Sequence, residues 1–269
     1  MRFAKLEPGV QADCGYLRVP EDRSVTSSRE IGVPFAIVRN EHRTSEDPVI
    51  FMTGGPGGRA IPHTINPVDS SFGGRDLIFF EQRGTELAEP SLQCPGYAEE
   101  KQRAERGEIR GAELARGLVR IAAGCAATAR RAGVRLSGYT TQAIVDDIDD
   151  FRALRGYHEI NLVGLSYSGK VVVEYSRDHP DHVRAVVANT PLSVEANYDE
   201  EAESMMRRSL DLVIAGCERS SSCDDAHPQL ALKFRKVIER AERHPWRIAV
   251  PDPDHPDSSR SILATDWVV

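Results

Sequence analysis

A serine hydroxyl is a weak nucleophile until a turn exposes it and a base takes its proton. Residues 164–169 read Gly-Leu-Ser-Tyr-Ser-Gly, with Ser166 two places after Gly164 and two before Ser168. Small residues on both sides let a strand and a helix close on a tight turn, the geometry that presents a serine for acyl transfer. The usual pattern has glycine where Ser168 stands, and serine is small enough for the same turn. Alone, such a stretch also describes an ordinary strand end. Its flanks favour the nucleophile: Glu159-Ile160-Asn161-Leu162-Val163-Gly164 reads as a buried strand, and a helix follows from Tyr167 to Arg177. Ser166 is therefore the candidate catalytic residue. A helix beginning there places the Tyr167 N–H beside the hydroxyl as one oxyanion-hole donor. The second donor must come from a loop after an earlier strand. Thr53-Gly54-Gly55-Pro56-Gly57-Gly58 lies in that position, and Gly55 is the candidate. A phosphate-cradling role for that loop fails, because no Gly-Lys-Ser/Thr follows at the required spacing.

Hydrolases built this way carry their acid and then their His downstream of the serine. The histidines beyond Ser166 are His179, His182, His227, His244 and His255. His179 and His182 flank Pro180 at a helix end, His227 and His244 each precede proline, and His255 sits in an Asp-Pro loop. None follows a late core strand. Asp252 and Asp254 read as loop acids, and Glu195, after the fourth strand, is a weak candidate for the acid. The acid and His of the triad are thus not identified in this chain, and the expectation is a chain incomplete at its C-terminus and at its N-terminus. A sheet cut short in this way would be marginally stable and leave an exposed apolar strand edge.

The elements that must position these residues follow from periodicity. Cys14–Val19 and Ile31–Arg39 read as a hairpin across the charged turn 21–30. Pro48–Met52 and Asp76–Phe80 are short apolar runs of the kind buried on both faces, as is Val183–Ala188. Ala112–Ala132 and Gln142–Leu154 have helical spacing, the latter with Ile144, Ile148 and Phe151 on one side and its acidic residues mostly on the others. Alternation of helices with apolar strands predicts an α/β fold, a mostly parallel sheet with helices on both faces. From about Ser193 the pattern becomes helical, with amphipathic stretches at Glu195–Ala215 and Gln229–Arg243. The predicted organisation is a core over 1–192, a helical cap over 193–250, and the start of a return to the core over 251–269.

Composition narrows the function classes. The 269 residues carry a net charge of −7 with no basic block, which gives no support to nucleic-acid binding. No apolar run approaches the roughly 20 residues that span a bilayer. There is no CxxC and no HExxH, so no metal is expected, and nothing calls for a cofactor. Of the five cysteines, Cys94 and Cys125 flank a helical stretch, Cys217 and Cys223 bracket a short polar loop, and Cys14 is left over. Two disulfides plus a cysteine whose partner is missing is one reading; five reduced thiols is the other. The first favours an exported protein, although the segment starting at Met1 lacks the apolar core of a signal peptide, and the second a cytoplasmic one.

Several motifs occur in one order: Gly-Gly-Pro-Gly at 54–57, Glu-Gln-Arg-Gly-Thr at 81–85, Tyr139-Thr140-Thr141, Asp147-Ile148-Asp149-Asp150-Phe151-Arg152, and the Ser166 turn. Together they resemble the prolyl iminopeptidase and tripeptidyl aminopeptidase branch of the α/β-hydrolases. The opening Cys14-Gly15-Tyr16-Leu17-Arg18-Val19-Pro20-Glu21-Asp22 and the Cys217–Cys223 stretch resemble the exported tripeptidyl aminopeptidase-like group. The resemblance spans residues 14–223. It implies an α/β-hydrolase fold and a Ser-His-Asp hydrolase that releases short peptides or a residue from peptide N-termini through an acyl-enzyme on Ser166. Departures are Glu81 for the usual Asp, Ser168 for Gly, and Ala188-Asn189-Thr190 where Asp-Gly is common. Acidic residues such as Glu200, Glu201 or Glu203 could hold a substrate amino group. An esterase or lactonase would use the same machinery on an ester, and a catalytically silent hydrolase-fold protein that binds a ligand is the alternative of another class.

Overall fold

A computed structural model describes residues 3–68, 72–251 and 258–264. The strands β1 (Lys5–Leu6), β2 (Ala12–Pro20), β3 (Glu30–Val38), β4 (Val49–Met52), β5 (Thr64–Ile65) and β6 (Leu77–Phe80) come first. They are followed by α1 (Tyr97–Glu105), α2 (Gly111–Arg131), α3 (Thr141–Leu154), β7 (Ile160–Leu165), α4 (Tyr167–Asp178) and β8 (Val183–Asn189). The chain continues through α5 (Tyr198–Glu218), α6 (Ser221–Ala226), α7 (Leu230–Arg243), β9 (Trp246–Pro251) and β10 (Ser259–Ala264).

Six strands form one sheet in the order β2-β3-β6-β4-β7-β8. The hairpin runs antiparallel from Ala12 opposite Val38 to Pro20 opposite Glu30, and β3 pairs antiparallel with β6. The remaining neighbours are parallel, which is why their sequences read as continuous apolar runs rather than alternating ones. Strand alternation splits the core between two faces. On one face Val33, Ile37, Ile50, Met52, Ile78 and Phe80 pack against Ile144, Ile148 and Phe151 of α3 and Val171, Val172 and Tyr175 of α4. On the other, Ala36, Val38, Val49 and Leu77 pack against Phe3, Ala4, Ile61 and Ile65. That face is covered by the N-terminal segment and the β1–β5 ribbon rather than by a helix, because β4 and β6 are joined by a loop that folds back across it. The mostly parallel sheet flanked by helices is the α/β arrangement expected from the alternation of helices and apolar strands.

Two expectations change. β8 was read as buried, yet Val186 and Val187 are 37% and 55% exposed. It is the outer strand of the described sheet, with a neighbour on one side only. Asp147 was placed with the solvent-facing acids of α3, yet it is buried, for a reason that lies in the site described below. The helix itself starts where Thr140 caps it, accepting from the Ala143 N–H at 3.2 Å, and stops at Gly156, whose φ of 70° suits glycine.

The chain divides into two compact units, Met1–Gln93 with Cys125–Ala196, and Cys94–Gly124 with Asn197–Val269. Residues 94–124, assigned by sequence to the core, belong to the second unit because α1 contacts β10 and, through Glu100, Gly117 of α2. Within that unit α5 packs against α6 and α7, and β9 pairs antiparallel with β10. The Cys217–Cys223 disulfide joins α5 to α6, so the stretch read as a loop turns into a short helix at Ser221. Cys94 and Cys125 are also disulfide-bonded, and Cys14 is free and exposed. His255, Asp252 and Asp254 lie outside the described residues. Among the described residues no helix is long and apolar enough to cross a membrane, and no cluster of His, Cys, Asp or Glu could hold a metal ion.

Candidate active site

Strand β7 ends in Leu165 and the chain turns at Ser166 into α4. At that turn Ser166 has φ 56° and ψ −118°, a conformation L-residues take only when their surroundings enforce it. The enforcement is visible. The Ser166 N–H donates to Asn189 O at 2.9 Å, and its carbonyl accepts from Gly169 at 2.9 Å and Leu192 at 3.1 Å. Close approach explains the glycines. A Cβ on Gly164 would overlap the Ser168 carbonyl, and one on Gly169 would sit 2.5 Å from Cβ of Pro191. Tyr167 is the first residue of α4, so its N–H has no partner within the helix. Its hydroxyl meets the Thr141 hydroxyl at 2.8 Å, and burial pushes the phenol above its ordinary value, against the pull of that bond.

The glycine loop reaches this turn because β4 lies beside β7, with Met52 opposite Gly164. Both strands end on the same side, the side where parallel α/β sheets form their sites. Gly54 is in contact with the nucleophile candidate: a Cβ there would lie 2.6 Å from Ser166 Cβ and 3.1 Å from its Oγ. Gly55 follows at φ 119°, and Gly57 at φ 96°. The loop is a closed turn, Gly58 N–H donating to Gly54 O at 3.1 Å.

The segment after β6 contacts both pieces. Gln82 Nε2 donates to Thr53 O at 3.0 Å and to Ser168 Oγ at 2.9 Å, and the Ser168 hydroxyl in turn donates to Thr53 O. One oxygen of Glu81 accepts from the N–H groups of Ala60 at 2.9 Å and Ile61 at 2.8 Å. Its other oxygen is buried without a hydrogen bond. Burial pushes this carboxyl above the ordinary glutamate value, further than the two N–H groups, Thr85 and Arg59 pull it down. Arg83 turns the other way and forks onto Asp147, Nε to Oδ2 at 2.8 Å and Nη2 to Oδ1 at 2.6 Å. It also donates to the carbonyls of Glu21 at 2.7 Å and Gly138 at 2.6 Å. This is why Asp147 is buried: its charge is met by Arg83 and by Arg23 Nη2 at 2.7 Å. Sequence reasoning marked 81–85 by likeness and gave it no role. Its adjacent Glu-Gln-Arg side chains, polar yet directly after an apolar strand, were the available signal.

The described histidines stand elsewhere. His179 ends α4, its ring 4.8 Å from that of Tyr175 and its Nδ1 3.9 Å from Asp149. His182 Nδ1 lies 3.1 Å from His158 O. His227 and His244 terminate α6 and α7. Glu195 is exposed. Among the described residues no side chain hydrogen-bonds to Ser166 Oγ.

A strand, a constrained serine and a helix, with a glycine loop against the serine, occur here in one order. Residues 47–213, more than half of the chain, match the alpha/beta hydrolase fold family. The chain belongs to that family. Tripeptidyl aminopeptidase of Streptomyces lividans is 27% identical over 208 residues, covering 70% of this chain and 38% of that protein. The protein of the same name from Streptomyces coelicolor gives the same figures. The chain thus spans 38% of the length of these curated relatives. Among solved structures, proline iminopeptidase of Mycobacterium smegmatis is 14% identical, with a TM-score of 0.43 over 89% of this chain and 64% of that one. The likeness to the two Streptomyces tripeptidyl aminopeptidases agrees with the aminopeptidase-like resemblance read from the ordered motifs, and the mostly parallel sheet is that of an α/β-hydrolase.

Proposed function

We propose that this α/β-hydrolase chain carries the nucleophile and oxyanion site of a serine hydrolase acting on the N-termini of short peptides. The observation that carries the reading is the backbone of Ser166, held at φ 56° and ψ −118° between β7 and α4 with Gly54 against its side chain. Ser166 would attack the scissile carbonyl and hold the acyl group. The N–H groups of Tyr167 and Gly55 would stabilise the oxyanion. Peptide rather than ester chemistry is supported by the 27% likeness to tripeptidyl aminopeptidase. Two pairs of disulfide-bonded cysteines fit an oxidising, exported setting.

A fluorophosphonate probe tests the reading. Labelling of the folded protein that disappears in Ser166→Ala is expected, together with release of p-nitroaniline from peptidyl p-nitroanilides with a free N-terminus. Turnover of p-nitrophenyl esters without any anilide cleavage would select the esterase reading. One observation favours a second reading, a catalytically silent binding protein: Ser166 Oγ has no base bonded to it among the described residues. A folded protein that takes no probe would favour that reading, or that of a piece of a longer hydrolase whose acid and His lie outside it.

A further inference from the structure

Two N–H groups on separate segments stabilise an oxyanion only if the segments are held at a fixed separation, since a displacement near 1 Å removes most of the benefit. Here one of those segments is the loop 54–58, four of whose five residues are glycine, the residue type with most backbone freedom to lose. Something outside the loop must hold it. We infer that Gln82, Ser168 and Glu81 are positioning residues that clamp this loop at both ends and tie it to the nucleophile turn, an inference that rests on Ser166 being the nucleophile.

The near end is held at Thr53, the residue before Gly54. Its carbonyl receives both Gln82 Nε2 and the Ser168 hydroxyl, and the same Nε2 donates to Ser168. The far end is held at Ala60 and Ile61, whose N–H groups share one oxygen of Glu81. Adjacent residues of a single segment therefore grip both ends of the loop. Glu81, Gln82 and Ser168 are 0%, 4% and 0% exposed, so these bonds do not compete with water and their loss leaves unpaired groups. Ser168 stands two residues beyond Ser166 on the first turn of α4. Its hydroxyl links the helix that carries one oxyanion donor directly to the loop that carries the other. Glycine at this position, the residue the motif usually has, would remove that link and leave Thr53 O to Gln82 alone.

Ser168→Ala and Gln82→Met test the clamp, with two readouts on each. The first is amide hydrogen exchange of the loop, which needs no catalysis. Both variants should exchange about tenfold faster over residues 54–58, the effect of one lost bond, with α3 unchanged. The second is fluorophosphonate labelling of Ser166. The labelling rate constant should fall roughly tenfold or more while probe affinity holds, with a modest fall in melting temperature from the groups left unpaired. Unchanged loop exchange in both variants overturns the clamp, whatever the labelling does. A wild-type protein that takes no probe counts against the nucleophile reading, and the exchange data then decide the clamp by themselves. If Ser168→Ala does not fold, Gln82→Met alone carries the test.

Discussion

Ser166 and the glycines around it divide the site's steric work. Gly164 and Gly169 let β7, the turn and Pro191 approach, and Gly54 lets the glycine loop touch the serine. A methyl at position 54 would sit 2.6 Å from Ser166 Cβ, so Gly54→Ala must displace either the loop or Ser166. The expected result is a fall of about 100-fold or more in fluorophosphonate labelling, with the sheet's melting transition largely retained. Labelling at the wild-type rate would mean the loop takes no part. Gly169→Ala differs, because its new Cβ meets Pro191 at 2.5 Å rather than Ser166. It should cost roughly 1–3 kcal/mol in urea unfolding, as overpacking does. These constraints were legible in the sequence, since small residues at fixed spacing have a local meaning. The partners of Ser168 were not, because Gln82 and Thr53 lie 86 and 115 positions away along the chain.

The segment after β6 organises the elements through three consecutive side chains. Arg83 ties α3 to the end of β2 by its fork onto Asp147 and its bonds to the Glu21 and Gly138 carbonyls. Removing it strands a buried carboxylate and two carbonyls, so Arg83→Met should destabilise by about 3–5 kcal/mol, measured by denaturant unfolding. A loss under about 1 kcal/mol would show that Arg23 alone satisfies Asp147. Glu81 gives a pH signature. Its folded value is raised above the ordinary 4.5, chiefly by burial, so the stability it allows is full below that value and declines as pH rises through the raised one. Glu81→Gln removes this titration. The stability of the variant relative to wild type should therefore climb as pH rises above 4.5, and a difference that stays flat would contradict the assignment. Periodicity located the strands and helices of this region within one or two residues. It misplaced Asp147, because a helical wheel cannot know that an arginine 64 residues earlier will come to meet a buried acid.

At the scale of the whole molecule, an outer strand of the described sheet is exposed to association. β8 presents Val186 and Val187 to solvent beside an unpaired backbone edge in the described sheet. Such edges promote association of chains. Val187→Lys should lower concentration-dependent light scattering without lowering the melting temperature, and unchanged scattering would move the liability elsewhere. The sequence alone determined the order of the six sheet strands and of the longer helices, the small-residue turn at Ser166 and the likeness to the aminopeptidase branch. Each of these depends on neighbours within a few residues or on an ordered set of short motifs. Tertiary structure decided the rest: which apolar run is an outer strand of the described sheet, which side chains pack on each of its faces, and which polar groups are buried. It also decided that residues 81–83 join the glycine loop, the serine turn and α3. Those properties are set by what lies across from a residue in space, and the pairings that matter here join positions scores of residues apart.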